Sequence, residues 1–107
     1  MAEPARLRGG ELNATLTSAL VGIQNEHLGR GPSSASTFHH ANVVVTLMQD
    51  VMTPAERNLA QTGNAPAVAS MRHLYQQAMR SDFNDAIERL TGHKVFGSLS
   101  PVWTYLG

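Results

Sequence analysis

Residues 43–48 read Val-Val-Val-Thr-Leu-Met, and this run constrains the fold more than any other stretch. Side chains alternate across a strand, so Val43, Val45 and Leu47 share one face while Val44, Thr46 and Met48 share the other. Both faces are largely apolar. Such a strand has to be covered on at least one side and partly on the second. Helices can supply one cover, and a second subunit can supply the other. Ser33 to His40 reads as a preceding strand, with Ala35, Thr37 and His39 alternating against Ser34, Ser36 and Phe38. Ala41-Asn42 is then the hairpin turn, with Asn42 expected to take the unusual backbone angle.

The helices are placed by periodicity and by their end signals. Glu11 to Leu28 carries Leu12, Leu16, Ala19, Leu20, Ile23 and His27 at steps of three and four, opposite Asn13, Thr17, Gln24 and Asn25. Gly29 is placed to end that helix in the left-handed conformation. Thr53-Pro54-Ala55-Glu56 is a capping box with proline at the first helical position, so a helix starts there and stops at Gly63-Asn64. Pro66 opens the longest helix, which runs to Thr91 with Gly92 as its stop. Its stripe is Val68, Met71, Tyr75, Ala78, Met79, Phe83, Ala86, Ile87 and Leu90. Ser81-Asp82 offers a break within it, since both residues favour caps. Lys94 to Leu99 reads as a third strand, and Val102 to Leu106 as a short last strand or a docking apolar tail.

The element order is therefore helix-strand-strand-helix-helix-strand. It implies an α+β two-layer sandwich with a mostly antiparallel sheet of three or four strands and helices packed on one face. The length of 107 residues fits one domain, residues 11–107, behind a flexible tail over 1–10.

Composition narrows the chemistry. Eight basic residues balance eight acidic ones, and a net charge of zero weighs against binding dominated by phosphate contacts. There is no cysteine, so disulfides, thiolate metal sites and cysteine nucleophiles are excluded, and a cytoplasmic location fits. No run approaches the roughly 18 apolar residues of a membrane span, so direct membrane insertion is not expected. His27, His39, His40, His73 and His93 are scattered, and none forms an i, i+4 pair on a helix. His39 and His40 point to opposite faces of one strand. No metal site, cofactor or catalytic residue is nominated. Glu56 reads as a cap, because a catalytic carboxylate needs a partner that the sequence does not show.

Taken in order, Gly29-Arg30-Gly31-Pro32, the apolar strand, Met52-Thr53-Pro54-Ala55-Glu56 with Leu59, Arg72, Ile87-Glu88, and Leu90-Thr91-Gly92 followed by Val95 resemble the MpsC-like family. Those small bacterial proteins are described as a component of a sodium-translocating, membrane-potential-generating system. The resemblance covers residues 12–101. It implies a link to cation or inorganic carbon uptake and brings no catalytic residue. Arg30, Gly31, Pro32, Thr53, Glu56, Arg72 and Gly92 match recurrent family positions and are the candidate interaction residues.

Three functions compete. The first is a non-catalytic accessory or regulatory protein that acts through protein–protein contacts, with a membrane complex as partner and as a homodimer. The second is an RNA-binding module of the bacterial K-homology type, which shares the element order. That type grips RNA with a Gly-x-x-Gly loop between its middle helices. Here the place is held by Gly63-Asn64-Ala65-Pro66, which lacks the second glycine and any lysine. The third is a small enzyme, for which no acid, base or nucleophile stands out. The first is the reading the sequence favours.

Overall fold

The computed structural model describes residues 9–49 and 52–98. The order is α1 (Gly9–Leu28), β1 (Ser34–His40), β2 (Val43–Gln49), α2 (Pro54–Leu59) and α3 (Ala65–Thr91), with a π-type turn over Ala60–Asn64 joining the last two. The chain is α+β, as the periodicities imply. α1 starts at Gly9, two residues earlier than its apolar pattern suggests.

β1 and β2 form an antiparallel two-stranded sheet with Phe38 opposite Val45 and His40 opposite Val43. That register leaves Ala41 and Asn42 as a two-residue turn. The residue with positive φ is Ala41, at 53°, and not Asn42. A turn of this length that demands the left-handed region at its first central position hands it to whichever residue the register puts there.

A third strand over Lys94 to Leu99 is not found among the described residues. The backbone of residues 94–98 is bound to α3 instead. Glu88 Oε2 accepts from the Val95 N–H at 2.8 Å, and Arg80 Nη2 donates to the Ser98 carbonyl at 3.0 Å. Leu99 and the segment Val102–Leu106 lie outside the described residues, so the sheet described has two strands where three or four are expected.

The layering also differs from a two-layer sandwich. α1 packs against β1 and against α3, while α3 shares no substantial contact with the hairpin. Only α1 lies on the sheet. The core is small: Leu16, Leu20, Val68, Met79 and Ala86 are the buried apolar side chains among the described residues. Tyr75, expected in the stripe of α3, is 40% exposed. α3 shows no break at Ser81-Asp82; Asp82 instead receives His27 of α1 at 2.9 Å. A row of hydroxyls fastens the hairpin to α1. Thr46 meets Thr37 at 2.8 Å, Thr37 meets Thr17 at 2.7 Å, and Thr17 reaches the Asn13 carbonyl at 2.9 Å.

Candidate functional site

Two features gather the residues singled out in the sequence. The first is the start of α2. Thr53 and Glu56 close the capping box: the Thr53 N–H donates to Glu56 Oε1 at 2.9 Å, and the Glu56 N–H donates to Thr53 Oγ1 at 3.1 Å. The same carboxylate receives Arg72 Nη1 on both oxygens at 3.3 Å. Glu56 and Arg72 are each 4% exposed. Burial pushes the Glu56 carboxyl up, but the Thr53 N–H, the charge of Arg72 and the hydrogen bonds from both side chains outweigh it. Its pKa therefore lies below the ordinary value. The pair ties α2 to α3 across sixteen residues of sequence. Its chemistry is that of a clamp, since both carboxylate oxygens are already engaged.

The second feature is a shallow cleft of about 350 Å³ beside that clamp, lined by Arg30, Ser33, Pro54, Arg57, Asn58 and Gln61. Gly29 makes the approach possible. It takes φ of 75° and donates its N–H to the Asn25 carbonyl at 2.8 Å, ending α1 and turning the chain toward β1. A side chain at Gly31 would meet Val21 at 3.5 Å. The lining holds two guanidinium groups, those of Arg30 and Arg57, and no carboxylate.

Arg30 therefore shares the cleft with Pro54 at the α2 start, while Thr53 at the N-cap, Glu56 in α2 and Arg72 in α3 form the clamp. Gly92 does not join them. It caps α3 with φ of 74°, its N–H on the Glu88 carbonyl, twenty residues and so roughly 30 Å along the helix from Arg72. The histidines are dispersed as well. His27 faces Asp82, and His39 meets Asn13 Oδ1 at 2.7 Å. Among the described residues no three His, Asp or Glu side chains converge in a way that would hold a metal ion.

An apolar surface lies where the residue motifs did not point. The outer face of the hairpin presents Phe38, Val43, Val45 and Leu47, which are 49%, 55%, 38% and 53% exposed. The two-sided apolar pattern of β2 was its signal.

These features define a small α+β protein built from a helix-backed hairpin and a clamped helical pair, with an open apolar sheet face. No described helix is long and apolar enough to cross a membrane. A family model described as "MpsC: Na+-translocating membrane potential-generating system (MpsC)" matches residues 8–104, and the chain belongs to that family. Comparisons with curated proteins and with solved structures return no match.

Proposed function

We propose that the chain is a non-catalytic, cytoplasmic accessory protein that serves a sodium-translocating, membrane-potential-generating system through protein–protein contacts. The observation that carries this reading is the open hairpin face. Four large apolar side chains stand there in a row with no charged residue among Ser34, Ser36, His40 and Gln49, their neighbours on that face. Contiguous apolar surface rimmed by polar residues marks a contact site. The family membership supplies the system that the contacts would serve. Arg30 and the cleft beside it offer a second, polar contact. Arg72 is held by Glu56, and its role is to fix α2 against α3.

The test is a sodium-dependent membrane potential measured in cells lacking this chain and in cells complemented with variants. The wild type should restore the potential. Val45→Lys with Leu47→Lys should not, provided the variant folds by circular dichroism. Alanine at all five histidines should leave the restoration intact. If that histidine variant folds and fails, the non-catalytic reading is wrong. RNA as the partner would instead appear as salt-sensitive retention on a polynucleotide column.

A further inference from the structure

The two strands of the hairpin are placed the wrong way round for a monomer. β1, Ser-Ala-Ser-Thr-Phe-His-His, is polar, and α1 packs against it. β2, Val-Val-Val-Thr-Leu-Met-Gln, is largely apolar on both faces, yet its inner-face residues Val44, Thr46 and Met48 are only half-buried and the others are exposed. By composition β2 belongs in the centre of a sheet and β1 at its edge. Among the described residues β2 is itself an edge.

That edge is undefended. Sheet edges are ordinarily blunted by lysine, proline, inward charges or a bulge. β2 carries none of these residue types. The direction of its open backbone groups follows from the turn. His40 and Val43 flank a two-residue turn, so they form a hydrogen-bonded pair, and such pairs recur at every second residue. Val43, Val45, Leu47 and Gln49 therefore bond toward β1. The N–H and C=O groups of Val44, Thr46 and Met48 point to the open edge.

We propose that this edge pairs antiparallel with β2 of a second copy, about a two-fold axis at Thr46, to make one four-stranded sheet in the order β1-β2-β2-β1. The inference specifies a surface and a partner for the protein-contact reading and rests on it. Thr46 lies opposite the partner's Thr46, and Val44 lies opposite the partner's Met48. On the outer face Val45 lies opposite the partner's Leu47. Every pair brings together uncharged side chains, so self-pairing meets no like-charge repulsion. The chain's net charge of zero adds no long-range repulsion either. A two-stranded sheet is marginal alone, and a four-stranded one is not. The pairing also places β2 in the interior position its composition asks for.

The described residues 94–98 stay on α3, through the Val95 N–H on Glu88 and the Ser98 carbonyl on Arg80, and α3 has no substantial contact with the hairpin. Strand pairing alone buries less than the about 800 Å² per partner of a standard interface. The dimer should therefore dissociate on dilution.

Amide hydrogen exchange on the full chain, paired with sedimentation at low and high micromolar concentration, tests this. The expected result is a dimer at high concentration in which the amides of Val44, Thr46 and Met48 gain protection, and a monomer on dilution in which they lose it. Val44→Pro removes one edge donor without touching the bonds to β1 and should raise the dissociation constant at least tenfold. Val44→Ala should not. A chain that stays monomeric at every concentration overturns the proposal. So does a dimer whose three edge amides exchange freely, which would place the contact on the sheet face or elsewhere. Protection that is independent of concentration also overturns it, since the chain's own segment would then hold the edge. The wild-type exchange pattern decides even if the proline variant fails to fold. A monomeric chain that still restores the sodium-dependent potential would sink the edge pairing and leave the accessory function standing.

Discussion

At the scale of single residues, the buried Glu56–Arg72 pair dominates. Removing one partner strands the other charge in a site 4% exposed. Such a loss costs about 3–5 kcal/mol, whereas replacing both partners by apolar or neutral groups of similar volume is often tolerated. Glu56→Gln alone and Arg72→Met alone should each lower the urea midpoint sharply. The double variant should lie closer to wild type than the sum of the two losses. Acid gives an independent readout. The Glu56 carboxyl titrates below 4.5 in the folded chain, so the unfolded chain binds its proton first as pH falls. The stabilisation is fully present above pH 4.5 and is lost as pH drops through the lower folded value. Urea titrations over that window should show the wild type losing stability and Glu56→Gln losing less. Ala41 offers the opposite sign. With φ of 53° it sits where an L side chain is strained, and Ala41→Gly should raise stability by about 1 kcal/mol. An unchanged or lower melting temperature would show that the turn relaxes differently.

At the scale of elements, what the sequence revealed tracks how far apart the interacting groups lie. The capping box was legible because Thr53 and Glu56 are three residues apart and the two bonds follow from local geometry. The second role of Glu56 was not, because its other partner lies on a different helix. Arg72 falls in line with Val68, Met79 and Ala86 on the buried side of α3, a position where periodicity alone expects an apolar residue. Val95 illustrates the reverse error. Its flanking pattern alternates as a strand does, but a Glu88 side chain claims its N–H before a neighbouring strand can. The hairpin was legible from alternation, yet what holds it to α1 is polar. Thr37 is 7% exposed and sits between Thr17 and Thr46. Thr37→Val keeps the shape, takes the Thr37 hydroxyl from Thr46 and leaves Thr17 with the Asn13 carbonyl, which should cost about 1–3 kcal/mol. The loss should appear as faster amide exchange throughout the hairpin while α3 stays protected. Uniform acceleration in both would show that the hairpin and α3 open as one unit.

At the scale of the whole molecule, the shape and the core point the same way. The radius of gyration is 15.5 Å and the extents are 58 × 25 × 25 Å. A compact domain of this length would have a radius of about 13 Å. An elongated outline raises the surface that each buried side chain has to support, and the core among the described residues is held by Leu16, Leu20, Val68, Met79 and Ala86. Meanwhile Val43, Leu47 and Leu74 are more than half exposed, and Phe38 nearly so. A chain that leaves this much apolar surface outside its own core gains stability from whatever covers it. If the cover is another copy, association stabilises the folded state by mass action, and the melting temperature depends on concentration. A hundredfold increase in protein concentration, from about 1 to about 100 μM, should raise the midpoint by several degrees if folding and association are coupled. Val45→Lys with Leu47→Lys should flatten that dependence, because the charges would lie beside each other across the shared sheet. A midpoint that holds constant over the same range in the wild type would mean the folded chain sustains its small core alone. The open face would then belong to a different protein.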